Sequence, residues 1–148
     1  LETGTSPNIS QLAETIDTSR ATVMNYIKYL ADARLLNIIY HKGGVFPQKP
    51  AMILLNNPNL SYTLYPRMFG TREVLSSFFV NQLRKSHTVN KERNTDAYCI
   101  DYETNIRIAT DSDGETKIRG NKDGYIATNN MEAGNGKKIP IWLFGFLY

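Results

Sequence analysis

Gln11 to Val23 is the stretch that most narrows the folds open to this chain. Ile9, Leu12, Ala13 and Ile16 repeat at helical spacing, and Asp17-Thr18-Ser19 breaks the run. Val23, Ile27 and Leu30, with Tyr26 beside them, then define a second helical face. Ser19 is placed to cap that second helix, because its hydroxyl can satisfy an otherwise unpaired backbone N–H. Asp17 stands where the turn between the helices demands positive φ, a region Asp tolerates better than most residues. The small Ala13 lets the two helices approach closely. This layout is that of a helix-turn-helix.

Leu35, Leu36, Ile38, Ile39 and Tyr40 follow as an extended apolar run, and Met52 to Leu55 as a second. The segment between them holds His41-Lys42-Gly43-Gly44, Pro47 and Pro50. Two strands joined by a Gly/Pro-rich loop directly after a helix pair predict a wing, so residues 1–60 are expected to form a winged helix-turn-helix domain. Residues 61–70 lie in a stretch rich in Asn, Pro, Tyr and Ser, and are expected to be a linker, with one short helix between Asn56 and Gly70. Thr71 is the expected cap of a third clear helix with Val74, Leu75, Phe78, Phe79 and Leu83 on its apolar face. Short strand candidates follow at Ala97 to Ile100, Ile106 to Ala109 and Gly124 to Thr128, with Asp111-Ser112-Asp113-Gly114 as a turn. Residues 71–148 are therefore expected to form a small α/β domain, and the fold class of the whole is α+β.

Composition excludes several alternatives. A chain of 148 residues, 41% hydrophobic and 21% charged, can bury a sizeable core and does not have the make-up of a disordered segment. The formal net charge of +3 is spread along the chain, without a dominant polycationic patch. Cys99 is the sole cysteine, so no internal disulfide forms and a reducing, cytoplasmic location fits. His41 and His87 lack the ligand spacing of a zinc site. The longest apolar run, Ile139 to Tyr148, falls short of the roughly 20 residues that span a bilayer, so no membrane partner is expected. The chain starts at Leu1 without an initiating Met, which reads as a piece of something longer.

If the helix-turn-helix reads duplex DNA, the amino-terminal residues of its second helix enter the major groove. Ser19, Arg20, Thr22, Asn25 and Lys28 are the candidates there, with Lys42 and Lys49 offered to phosphate from the wing. The competing reading makes the same unit a packing module whose polar face is merely solvated.

Three patches together resemble one family. They are Asn8 to Leu36; Lys49 to Leu60, which reads KPAMILLNNPNL; and Phe78-Phe79-Val80-Asn81-Gln82-Leu83 with the closing IPIWLFGFLY of Ile139 to Tyr148. The family is that of bacterial and archaeal AAA+-type P-loop ATPases with a carboxy-terminal domain of unknown function, and the resemblance covers nearly the whole chain, more loosely from Asn94 to Glu132. It implies an amino-terminal ATPase domain as a partner within the same protein, with ATP and Mg²⁺ bound there. A phosphate loop needs Gly-x-x-x-x-Gly-Lys-Ser/Thr, and no such run occurs here, so no cofactor is expected in this chain. The resemblance also implies that the last domain is similar to the restriction-endonuclease-like fold. Active members hold Mg²⁺ with a helix Glu, a strand Asp and a Glu on the next strand, and add a Lys just beyond. Carried onto this sequence, those positions fall on Ser76, Asp96, Arg107 and near Asp111. One of the four, Asp96, keeps its ligand type, and Arg107 places a cation where the metal would sit. The expectation is a non-catalytic recognition or regulatory module, with a DNA-binding module that targets the parent ATPase to duplex DNA as the alternative.

Two further motifs are weaker. Asp111 to Glu115 has the look of a Ca²⁺ loop, but Lys122 stands where the twelfth-position acid belongs. Cys99 and His87 could pair as a nucleophile and base, but the apolar run around Cys99 favours a buried structural thiol. The closing aromatics Trp142, Phe144, Phe146 and Tyr148 alternate with Leu143, Gly145 and Leu147. Such a segment reads as a buried central strand, or else as a docking edge for the ATPase domain or a partner chain.

Overall fold

The computed structural model describes residues 6–64, 70–110 and 124–147, and the fold is α+β. Helix α1 (Ile9–Thr15) starts at Asn8, whose side chain accepts a hydrogen bond from the Gln11 amide. It ends on Asp17 at φ 49°, with Thr18 N–H reaching Ala13 O and Asp17 N–H reaching Glu14 O. That pair of bonds is a Schellman closure, and Asp17 fills its left-handed position. Helix α2 (Arg20–Asp32) is capped by Ser19, whose hydroxyl accepts from the Thr22 amide at 3.1 Å. Its end repeats the α1 device with Arg34 at φ 58°: Leu35 N–H bonds Leu30 O and Arg34 N–H bonds Ala31 O. The turn residue and the cap match the sequence reading. The second closure, on an arginine, has no sequence signal.

Strands β1 (Leu36–Ile39) and β2 (Met52–Leu55) pair antiparallel, with Leu36 opposite Leu55 and Ile39 opposite Met52. The period of two sorts their side chains into two sets. Leu36, Ile53 and Leu55 join Ile9, Ala13, Val23, Met24 and Ile27 in one apolar cluster. Ile39 and Leu54 face the other way, into a second cluster with Phe79, Val80, Tyr98 and Ile108. A hairpin buried on both faces must be apolar at nearly every position, which is why its runs do not alternate.

Helix α3 (Pro58–Leu64) occupies part of the stretch read as linker, and Ser61 on it is buried. Helix α4 (Thr71–Leu83) has Gly70, not Thr71, as its N-cap, a residue with no side chain to accept from the first-turn amides. Ser76, Ser77, Phe79, Val80 and Leu83 are its buried residues, so its inner face is less uniformly apolar than the hydrophobic spacing suggests. Strands β3 (Val89–Lys91), β4 (Tyr98–Ile100), β5 (Thr104–Ala109), β6 (Tyr125–Thr128) and β7 (Lys138–Pro140) form one sheet in chain order. β3, β4 and β5 meet antiparallel, whereas β5, β6 and β7 run parallel. Asp101 at φ 49° and Tyr102 at φ 66° make the tight turn between β4 and β5.

The closing segment departs from the expected central strand. Only Lys138–Pro140 is extended, at the edge of the sheet, and Ile141–Phe146 winds into a 3₁₀ helix. Pro140 has no N–H to continue a ladder, and Ile141 and Phe144 are buried three residues apart, the 3₁₀ period. Trp142 and Phe146 are left exposed, stacked edge to face at 6.1 Å. Phe144 packs on Phe79 at 4.8 Å between ring centroids, and Phe79 on Tyr98 at 5.5 Å.

Polar contacts stitch the hairpin to the larger sheet. Lys91 N–H donates to Tyr40 O at 2.8 Å, and His41 Nδ1 lies 3.1 Å from Lys91 O. The Arg84 guanidinium, at the end of α4, donates to Asn37 Oδ1 and Ile38 O on β1.

Candidate functional site

A cavity of about 260 Å³ opens where the amino end of α4 meets β2, β3, β4 and β5, and Arg72, Glu73, Ser76, Lys91, Asp96, Tyr98 and Arg107 line it with Met52 and Ile108. Helical spacing puts Arg72 and Ser76 on one face of α4, four residues apart. Arg72 donates to Ile108 O at 3.1 Å, which ties the helix to β5. Lys91 extends its ammonium over the Tyr98 ring, 4.4 Å from the centroid, and donates to Asp96 O at 2.6 Å. Burial pulls the Lys91 pKa down to about 8, with Asp96 opposing and the Arg72 and Arg107 charges adding to the fall. Tyr98 goes the other way: burial pushes its phenol up to about 12, against the hydrogen bond from Ser76. Tyr98 donates its own proton to Met52 Sδ at 3.3 Å. The phenol is thus neutral at ordinary pH, a fixed dipole in the wall of the cavity.

Three positions that the resemblance aligned with a nuclease centre, Ser76, Asp96 and Arg107, line this one cavity. Asp111 lies outside the described residues, as does the turn from Asp111 to Gly114 with Lys122. Around the aligned positions stand Arg72, Glu73, Lys91 and Tyr98, which sequence reasoning passed over. The sequence holds no local signal for them, because α4, β3 and β4 bring them together only in the folded chain. Among the described residues, no three His, Cys, Asp or Glu side chains gather as metal ligands.

A second cavity, about 420 Å³, lies between α2 and the β1–β2 loop, lined by Ile9, Arg20, Ala21, Met24, Asn25, Phe46, Pro47 and Lys49. It brings together Arg20, Asn25 and Lys49 from the seven DNA candidates. The other four have local engagements. Ser19 and Thr22 share a hydroxyl contact of 2.8 Å at the cap of α2. Lys28 forms an ion pair with Asp32 at 2.6 Å, and that hydrogen bond holds its pKa above the ordinary lysine value. Lys42 donates to Tyr102 O at 2.7 Å, so it fastens the loop to the β4–β5 turn.

Cys99 is buried in the middle of β4, and burial pushes its thiol pKa up, away from a reactive thiolate. His87 is engaged elsewhere: its Nδ1 meets Asp101 Oδ2 at 2.6 Å, and this contact with the Thr88 amide holds the Asp101 carboxyl below its usual range. No helix among the described residues is long and apolar enough to cross a membrane. Comparison of the chain with protein-family models, with curated proteins and with solved structures finds no match.

Proposed function

We propose that this chain is a non-catalytic recognition or regulatory module of an AAA+-type ATPase, a winged helix joined to a degenerate restriction-endonuclease-like domain. The observation that carries this reading is the make-up of the α4–β5 cavity. Its position, between a helix and the strands that follow it, suits a nuclease centre, but its charges do not. Among the described residues that line it, Arg72, Lys91 and Arg107 outnumber Glu73 and Asp96. Cations in the same lining oppose a divalent metal by Coulomb repulsion, and without the metal no water is activated for attack on phosphate. Incubation of the purified chain with plasmid DNA and Mg²⁺ tests the point: no nicking is expected. Cleavage that disappears in Asp96→Asn would overturn the non-catalytic reading. The ATPase attachment is tested by the coding sequence upstream, where a Gly-x-x-x-x-Gly-Lys-Ser/Thr loop is expected.

The convergence of Arg20, Asn25 and Lys49 on one cavity favours a second reading, in which the winged helix carries the parent protein to duplex DNA. Titration against labelled duplex at several salt concentrations separates the two. Phosphate contacts make affinity fall steeply with salt, about one power of the salt concentration per neutralised phosphate. Negligible binding at low salt removes the DNA reading, and loss of binding in Arg20→Gln with Lys49→Gln supports it.

A further inference from the structure

We propose that the α4–β5 cavity is a metal-independent oxyanion site that takes a phosphate group, held by Arg72, Lys91 and Arg107. The proposal needs only the cavity and is independent of any link to an ATPase. Among the described residues, two guanidinium groups and an ammonium share one lining with two carboxylates. The Lys91 ammonium is the strained member. It is largely withdrawn from water, Arg72 and Arg107 both repel it, and these influences bring its pKa down to about 8 despite Asp96. A bound anion relieves that repulsion and stabilises the charged lysine. Donor chemistry agrees with the charge. Arginine presents forked N–H groups that match oxyanions, and an ammonium has three donors, of which Lys91 spends one on Asp96 O. The amino end of α4 forms one wall and adds the positive end of the helix dipole, which the Glu73 carboxylate in its first turn partly offsets.

Size narrows the ligand. At about 260 Å³ the cavity is smaller than the roughly 300–1,000 Å³ that accommodates drug-sized molecules. It admits a phosphate group with room for part of the group attached to it. Such a group has two sources, free phosphate or the terminal phosphate of a nucleic acid strand.

Calorimetric titration of the full chain with inorganic phosphate, and separately with a short single-stranded oligonucleotide carrying or lacking a 5′-phosphate, provides the test. Saturable binding of phosphate in EDTA is expected. Lys91→Met and Arg107→Gln should each weaken it about ten- to hundredfold, as loss of a charge-assisted hydrogen bond does. Lys85→Gln, at an exposed position beyond the carboxy end of α4, should leave it unchanged. Thermal melting of each variant shows that it is folded; if Arg107→Gln melts early, Arg72→Gln replaces it. A strong preference for the 5′-phosphorylated oligonucleotide over the unphosphorylated one assigns the ligand to strand ends, and equal weakness of both leaves free phosphate as the ligand. Absence of saturable binding at tens of millimolar phosphate, or binding that survives Lys91→Met and Arg107→Gln alike, overturns the proposal. Nuclease activity is read with Mg²⁺ and phosphate binding in EDTA, so the non-catalytic reading and the phosphate site fail separately.

Discussion

On one side of the β1–β2 hairpin, Leu36, Ile53 and Leu55 meet helices that lie close by in the chain. On the other side, Ile39 and Leu54 meet Phe79, Val80, Tyr98 and Ile108, which come from far along it. The two sides also use different means. The helical side rests on capped helices and Schellman closures, each formed by neighbours in sequence. The sheet side rests on short strands, mostly three or four residues long, that have little meaning apart from their partners. Most contacts of the first side close short loops, whereas the second depends on contacts with a higher loop-closure cost. Both nonetheless share one hairpin as a common layer, so the difference in origin need not become a difference in stability.

The sharpest way to break that comparison is to truncate adjacent residues that face opposite ways. Ile53→Ala and Leu54→Ala each remove a fully buried side chain and should each cost about 2–5 kcal/mol. With a shared layer, both variants lower the midpoint of one cooperative transition followed by circular dichroism. Two separate transitions, one moved by each variant, would show that the sides melt independently. A smaller effect tests the polar stitch. Arg84→Met removes the donors to Asn37 Oδ1 and Ile38 O and should cost about 1–2 kcal/mol in denaturant unfolding. A change confined to the noise would mean that apolar packing alone joins the hairpin to α4. The smallest effect is a gain. Arg34→Gly relieves about 1–2 kcal/mol of left-handed strain and loses part of it to the greater freedom of unfolded glycine. A net stabilisation of about 0.5–1 kcal/mol is expected, and less for Asp17→Gly, since Asp tolerates that conformation better than Arg.

The same contrast governs what could be read in advance. Ser19 as a cap, Asp17 at positive φ and the cores of β4, β5 and β6 were legible, because each depends on local chemistry or on a plain apolar run. Thr71 was taken for a cap on residue type, yet Gly70 holds that position and Thr71 is already helical. Strand β3 escaped notice because Val89-Asn90-Lys91 has no run to detect, and it is extended through pairing with β4 and the Tyr40 carbonyl. Asp101-Tyr102 contains no glycine and so gave no hairpin signal. In the closing segment the aromatic alternation was misleading: Pro140 stops the strand, and the spacing of Ile141 and Phe144 decides the outcome. As for the candidate site, Ser76, Asp96 and Arg107 could be placed together only through a resemblance. Arg72 and Lys91 join them through the tertiary approach of α4 to β3 and β5, which no window along the chain contains.

Ile53 and Leu54 are joined by a single peptide bond, and their side chains belong to opposite cores. Close-packed interiors yield little, so a sideways push on Ile53 from the helix pair cannot be absorbed locally and must displace Leu54 against Phe79. The hairpin therefore works as a stiff partition through which either half registers strain imposed on the other, and cutting the chain within it would leave neither half a complete interior.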